Sequence, residues 1–211
     1  MSDHTTTRPL RIGDEAPGFR ARTTRGDVVL EAYRGRWLVF FSHPADFTPV
    51  CTSEFVALAR AADRFEALDC ALLGLSVDSL YSHLAWIGAI RDLFDVVIPF
   101  PIIEDPSMAI GTAYGMIDAG APDSSSVRAV YFIDPAGMIR ALTWYPLSVG
   151  RSVDEMLRLL AALQVTASGE GLAPADWQPG QPMLLPAPQG ADQMPEPKAG
   201  EAWFYRMQAG R

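Results

Sequence analysis

Cysteine is scarce in this 211-residue chain, which has only Cys51 and Cys70. Two thiols without CxxC or other metal-ligand spacing exclude a disulfide-stapled secreted scaffold and a cysteine zinc site, and they fit a reducing compartment. Histidine is nearly as sparse. His4, His43 and His83 are scattered and form no HExxH pattern, so no metal is implied. Basic charge is in deficit, with 17 Lys and Arg against 25 Asp and Glu and a net charge of −8, which excludes nucleic acid as an expected partner. Long apolar runs are missing too. The strongest, residues 37–41 and 71–77, are strand-sized and fall well short of the ~18 to 20 residues that span a bilayer, so no membrane association is expected. The first residues, MSDHTTTRPLRIGDEAP, have neither a basic segment followed by an apolar stretch nor a small-residue cleavage site, which points to the cytoplasm.

What is present is enough apolar material for a core, 49% of the chain, arranged in alternating elements. Residues 37–41 (WLVFF) read as a strand covered on both faces, ending at Ser42-His43-Pro44. From Thr52 onward Phe55, Leu58, Ala59, Ala62 and Phe65 recur at helical spacing, with polar residues 52–54 suited to a first turn. A second buried strand covers 71–77, and Leu80, Leu84, Ile87 and Phe94 mark one face of another helix. Asp105-Pro106 predicts an N-cap and first helical residue of a short helix ending near Gly111 and Gly115. Residues 128–133 and 138–145, joined by Asp134-Pro-Ala-Gly137, predict an antiparallel hairpin. Ser152-Val-Asp-Glu155 reads as a capping box opening a helix with Val153, Met156, Leu157, Leu160 and Leu163 as its apolar stripe.

Beyond Gln164, prolines at 174, 179, 182, 186, 188, 195 and 197 forbid long helices and central strands. Trp177, Met183, Leu184, Leu185, Trp203, Phe204 and Tyr205 are too apolar for a free linker, so this segment should dock on its own body or on a second subunit. The expected architecture is an α/β domain over 1–165, a thioredoxin-like mixed sheet flanked by helices, with a proline-rich C-terminal arm over 166–211 associated with dimer formation.

Residues 42–51 place a thiol after a strand, in a proline-constrained loop and at the start of a helix. Thiolate is the reactive form, and a helix N-terminus favours negative charge, lowering a cysteine pKa from ~8.5 toward roughly 5 to 7. Pro44 and Pro49 remove two backbone donors and stiffen the wall beside the sulfur, while the Thr48 hydroxyl could orient a small oxygen-rich substrate. Cys70 opens an apolar strand and reads as packing rather than as a second reactive thiol.

Pro44-x-x-x-Thr48-x-x-Cys51 resembles the PxxxTxxC motif of the peroxiredoxins, and the longer stretch from Phe41 to Thr52 is similar to their one-cysteine branch, the alkyl hydroperoxide reductase/thiol-specific antioxidant group. The likeness extends through residues 75–79 with 83–86, 128–135 and 150–158. The resemblance implies a thiol-dependent peroxidase acting on hydrogen peroxide and organic hydroperoxides, without a bound cofactor, as a homodimer that could assemble into a larger ring. It further implies that Cys51 is the peroxidatic nucleophile, Thr48 hydrogen-bonds the peroxide, Pro44 shields the sulfur, and Arg128 stabilises thiolate and substrate oxygens. Glu54 and Arg151 match positions that hold Arg128 and the loop in place. A guanidinium is charged at any relevant pH and suits that task. Attack on the O–O bond would give a Cys51 sulfenic acid and water or an alcohol. No cysteine follows Cys70, so an external thiol reductant is expected to regenerate the site. His43 would tune the sulfur or bind the reductant, and His83 reads as helix packing.

Other functions fit less of this pattern. A disulfide reductase needs a second nearby thiol where residues 48–50 read Thr-Pro-Val, and a cysteine hydrolase would pair Cys51 with His43. A phospholipase site known from some one-cysteine relatives is not expected, because Arg36 stands where its serine would be. The alternative from another class is a noncatalytic redox-sensing chaperone or scaffold.

Overall fold

The apolar run at 37–41 forms β3 of a seven-stranded sheet, and the strand extends one residue further. The computed structural model describes residues 8–117, 126–194, 196 and 202–209; His4, Pro195 and Pro197 lie outside the described residues. In chain order the sheet is built from β1 (Arg20–Thr23), β2 (Gly26–Val29), β3 (Trp37–Ser42), β4 (Cys70–Ser76), β5 (Ile102–Glu104), β6 (Arg128–Ile133) and β7 (Ile139–Tyr145). Their spatial order is β2-β1-β5-β4-β3-β6-β7. β3 pairs parallel with β4 and antiparallel with β6, so Phe40 lies between Leu73 and Tyr131, and β4 pairs parallel with β5. Parallel neighbours need crossovers. The first is α1 (Pro49–Arg60) with α2 (Ala62–Ala67), and the second contains α3 (Leu80–Phe94).

All six residues of β3 are buried, so both faces of its pleat are used. On one face Phe40 meets Phe19 and Tyr114 at centroid distances of 5.4 and 4.9 Å. The Tyr114 hydroxyl donates to the Pro17 carbonyl at 2.8 Å, and the Tyr131 hydroxyl donates to the Tyr114 carbonyl, so both phenols are satisfied. On the other face Phe41 meets Phe55 of α1 at 5.6 Å and Phe100 at 5.8 Å. This second face carries α1, whose first turn bears Cys51.

The β6–β7 hairpin forms at the turn the sequence marks. Asp134 Oδ1 accepts the backbone N–H groups of Ala136 and Met138, each at 2.9 Å, while Gly137 takes the positive φ of 79° that a side chain would resist.

Two local expectations need correction. The short helix α4 is Ala109–Ala113, capped by Met108, and Asp105-Pro106 does not open it. Asp105 instead bends back across the turn and its Oδ2 accepts the Gly111 N–H at 2.7 Å. On α3, Leu84 and Phe94 are exposed, and the buried stripe is His83, Trp86 and Ile90. His83 and Trp86 carry polar atoms, yet both are bonded inside, Trp86 Nε1 donating to Thr52 Oγ1 at 3.2 Å. Nothing in the apolar pattern marks β1, β2 or β5, which are three or four residues long and partly polar.

The chain divides into two compact units, Met1–Val153 and Asp154–Arg211. The division falls after the first residue of α5 (Val153–Thr166), where the sequence reading placed it after residue 165. In the second unit α5 buries Met156, Leu157 and Leu160. Strands β8 (Met183–Leu184) and β9 (Met207–Gln208) pair antiparallel, and Trp177 is buried with its Nε1 donating to the Gln181 carbonyl at 3.0 Å. Trp203, Phe204 and Tyr205 are exposed.

Because Phe40 contributes to the central strand and is fully buried, Phe40→Ala should cost about 3 to 5 kcal/mol. Urea unfolding followed by tryptophan fluorescence will show this as a shifted midpoint at constant slope; a cost under about 1 kcal/mol would contradict the packing described.

Candidate functional site

Thr48 caps α1 with extended backbone, Pro49 fills its first position, and Cys51 lies in its first turn with no exposed surface. The helix therefore starts three residues earlier than the apolar spacing suggests, because a proline there lacks the N–H that a first turn would leave unpaired. Helical phase separates the side chains of α1. Cys51, Glu54, Phe55 and Leu58 are directed to the interior, whereas Thr52, Val56 and Arg60 line a mainly apolar cavity of about 700 Å³ between α1 and α3. Thr48 and Pro49 line the same cavity.

The sulfur faces a buried ionic cluster. Arg128, at the first position of β6, donates from Nη1 to Cys51 Sγ at 3.4 Å and to Glu54 Oε2 at 2.7 Å. Its Nε and Nη2 both donate to the Leu147 carbonyl, at 3.0 and 2.9 Å. Arg151 grips the same carboxylate in a two-point geometry, Nε to Oε1 at 2.8 Å and Nη2 to Oε2 at 2.7 Å. The Arg151 backbone N–H adds a further bond to Oε1 at 2.8 Å, and Nη1 donates to the carbonyls of Ser42 and Ala129. Glu54 thus accepts four hydrogen bonds, which fills both oxygens. Burial alone would raise its pKa, but the hydrogen bonds and charge of Arg151, with the charge of Arg128, outweigh that and hold the carboxyl below its usual range.

Two buried guanidiniums share one carboxylate, leaving a net positive charge beside Cys51. Desolvated charge without a partner is costly, so the missing counter-charge is what a thiolate would supply. Cys70 stands in the opposite environment. Burial pushes its thiol up to about 12, and its nearest polar partner is the Ala71 carbonyl at 3.4 Å. Both cysteines are free.

Pro44 and Thr48 lie on the loop between β3 and α1, Pro44 buried and Thr48 partly exposed. The Thr48 hydroxyl donates to the Ala45 carbonyl at 2.9 Å, which leaves its lone pairs to accept. Phe47 at the loop's tip is exposed and has φ 56°, a conformation disfavoured for a bulky residue.

His43 belongs to a second buried cluster. Its Nε2 is 2.9 Å from Asp46 Oδ1, and its ring lies 4.8 Å from Phe55 and 5.1 Å from Trp86. With no exposed surface it has nothing to offer a reductant directly, which corrects that part of the expectation. His83, 40 positions along the chain, approaches the other oxygen of the same aspartate. Ligand atoms of His43, Asp46 and His83 all lie within 4.8 Å of one another, so histidines scattered in sequence are neighbours in space. Sequence reasoning gave Asp46 no role within its loop and took His83 as packing. The available signals were the position of Asp46 inside the Pro44–Cys51 loop and of His83 one turn before Trp86.

Comparison with known proteins agrees with this arrangement. Residues 12–142 match the AhpC/TSA family, and residues 162–196 match the C-terminal domain of 1-Cys peroxiredoxin. A peroxiredoxin 2 of Caldanaerobacter subterraneus subsp. tengcongensis is 48% identical over 179 residues, 85% of this chain and 81% of that protein. A peroxiredoxin of Aquifex aeolicus is 50% identical over 80% of this chain and 77% of its own length. Among solved structures, a yeast mitochondrial 1-Cys peroxiredoxin, studied for thiol resolution through glutathione and thioredoxin systems, superposes with a TM-score of 0.85 at 36% identity, covering 95% of this chain and all of that one. Peroxiredoxin 6 of Arenicola marina gives 0.84 at 29% identity, covering 96% and 99%. Sheet order, helices and neighbours together make the fold thioredoxin-like, and the chain belongs to the AhpC/TSA family: it is a peroxiredoxin, a thiol-dependent peroxidase.

Proposed function

We propose that Cys51 is the peroxidatic nucleophile and that the enzyme works through one cysteine. The observation that carries this reading is the Arg128 N–H directed at Cys51 Sγ at 3.4 Å from within a cluster short of one negative charge. The thiolate attacks the terminal oxygen of a hydroperoxide, the S–O bond forms as O–O breaks, and the leaving oxygen takes a proton as water or alcohol. Arg128 serves twice, favouring the anionic sulfur and donating to charge developing on the oxygens. Thr48, with its hydroxyl lone pairs free, hydrogen-bonds the peroxide. Pro44 closes the loop against water, and Glu54 with Arg151 holds Arg128 in register. His43 supports the site from beneath, through Asp46. Hydrogen peroxide and organic hydroperoxides both offer the O–O bond this chemistry needs, and no cofactor is required.

A sulfenic acid at Cys51 needs an outside thiol, because Cys70 has been pushed toward the neutral, unreactive form. A glutathione or thioredoxin system, as for the yeast relative, is the reductant class that fits. Since Cys51 has no exposed surface, that step requires the first turn of α1 to open. Exposed Trp203, Phe204 and Tyr205 support a homodimer, which could build into a ring, with the segment after residue 165 as an arm at its interface. A cytoplasmic location fits two free cysteines; among the described residues no helix is long and apolar enough to cross a membrane.

Hydrogen peroxide consumption supported by dithiothreitol tests the assignment. Cys51→Ser should lose turnover entirely and Cys70→Ser should keep it; an active Cys51→Ser protein, or loss only in Cys70→Ser, would overturn the reading.

Glu54 generates a second prediction. Its folded pKa lies below the unfolded value of about 4.3, so its stabilising contribution is complete above that pH and is lost as pH falls through the folded pKa. Glu54→Gln should cost about 3 to 5 kcal/mol at neutral pH by leaving two buried guanidiniums without a carboxylate. It should also flatten the fall of stability with acid relative to the parent. Urea midpoints measured from neutral pH downward will decide, and parallel curves would show that Glu54 carries no such charge.

A further inference from the structure

The mechanism above makes no use of the buried carboxylate of Asp46, whose surroundings fix the protonation of its neighbours. Asp46 Oδ2 lies 2.8 Å from His83 Nδ1, and the other nitrogen of His83, Nε2, lies 3.1 Å from the Ile103 carbonyl. A carbonyl oxygen only accepts, so Nε2 bears hydrogen. Burial would raise the Asp46 pKa, but hydrogen bonds from His43 and His83 hold it well below the usual range, so this group is a carboxylate and also only accepts. Nδ1 therefore bears hydrogen as well, and His83 is an imidazolium with no exposed surface. His43 differs. Its Nε2–H donates to Asp46, its Nδ1 is buried without a hydrogen-bond partner, and burial lowers its basicity, which makes it the neutral Nε2–H tautomer.

The pair joins elements that a single bond could not hold. Asp46 belongs to the β3–α1 loop, His83 to α3 and Ile103 to β5. The Asp46 N–H adds a tie to Asp78 Oδ2 at 3.0 Å, and Asp78 is itself held by Ser76 Oγ at 2.8 Å. The charged and titratable groups facing His83 are Asp46 from the loop, His43 just after β3 and Glu104 on β5, which also binds Arg22 and the Leu80 N–H, while Asp78 after β4 faces His43. Asp46 lies at hydrogen-bond distance from both histidines, 2.9 Å from His43 and 2.8 Å from His83, so a cation there would have to displace both bonds and a His83 proton. Next along the loop come Phe47, with its disfavoured φ of 56°, and Thr48.

We propose that the buried Asp46–His83 ion pair is a positioning device for the peroxidase, fixing the loop that carries Pro44 and Thr48 by clamping it to α3 and β5. The proposal rests on the assignment of Cys51 and the loop as the reacting centre, but its first test is independent of activity. In a His4→Gln background, ring nitrogen-15 spectra at neutral pH should show two histidines, one with both nitrogens protonated and one neutral with hydrogen on Nε2. The doubly protonated signal should vanish in His83→Asn. Two neutral histidines would overturn the proposal whatever the enzyme's rate.

The second test reads kcat/KM for hydrogen peroxide. Asp46→Asn and His83→Leu should each lose about tenfold to a hundredfold, the scale of a misplaced catalytic loop. His83→Asn, which keeps a donor near the former Nδ1, should recover most of that loss. Equal losses in His83→Asn and His83→Leu, or full activity in Asp46→Asn, would overturn it. A Cys51→Ser protein that kept its activity would instead defeat the assignment of Cys51 while leaving the spectra unchanged.

Discussion

The Glu54 carboxylate is the point on which the site depends. Four parts of the first unit meet there: α1 supplies Glu54, β6 supplies Arg128, the segment after β7 supplies Arg151, and β3 offers the Ser42 carbonyl to Arg151. None of these groups is tolerable alone in a dry interior. A buried guanidinium without its carboxylate, or the reverse, costs several kcal/mol, so the four parts are held to one arrangement rather than to a family of them. That arrangement delivers an N–H of Arg128 to the sulfur. Two guanidiniums against one carboxylate leave the cluster one charge positive on the side that faces the sulfur.

Phase along two elements distributes the remaining tasks. Alternation in β3 sends Phe40 to one layer and Phe41 to the other, so the Phe41 face receives α1 through Phe55. The turn of α1 then directs Cys51 and Glu54 inward and Thr52 and Val56 to the cavity beside α3. A single helix thereby serves as wall of an apolar cavity on one side and as carrier of Cys51 on the other.

What could be read from the residues follows the same physics. Strands buried on both faces, such as β3 and β4, announce themselves by continuous apolar runs, and the 134–137 turn by its Asp-Pro-x-Gly chemistry. The loop motif named Cys51, Thr48 and Pro44, and the resemblance pointed to Arg128, Glu54 and Arg151, which the fold gathers around Glu54. Hydropathy misjudged α3 because His83 and Trp86 are amphipathic: each buries a ring only because its polar atom finds a partner far away in sequence, Thr52 for Trp86 and Asp46 with Ile103 for His83. Such partners are invisible to local periodicity. The same holds for β1, β2 and β5, whose short sequences become strands through partners distant in sequence, β5 on the edge of β4 and β1 on β5.

The loop bearing Pro44 and Thr48 is held at both ends and in the middle. Ser126 Oγ donates to the His43 carbonyl, Asp46 is clamped through side chain and backbone, and Thr48 is bonded to Ala45 and Thr52. Preorganisation of this kind favours attack on a small peroxide, because nothing must rearrange as charge develops. It also opposes access, since the folded site covers the sulfur completely and a thiol reductant, larger than a peroxide, asks for the wider opening. Each hydrogen bond released contributes about 1 kcal/mol, so freeing even three of them makes the open state roughly a hundredfold rarer than the closed one. The strain at Phe47 works the other way, since a residue with φ of 56° relaxes when the loop lets go. Under the proposed one-cysteine cycle, attack and regeneration ask opposite things of one loop, and the balance between its anchors and its strained tip sets how long a Cys51 sulfenic acid waits for its thiol.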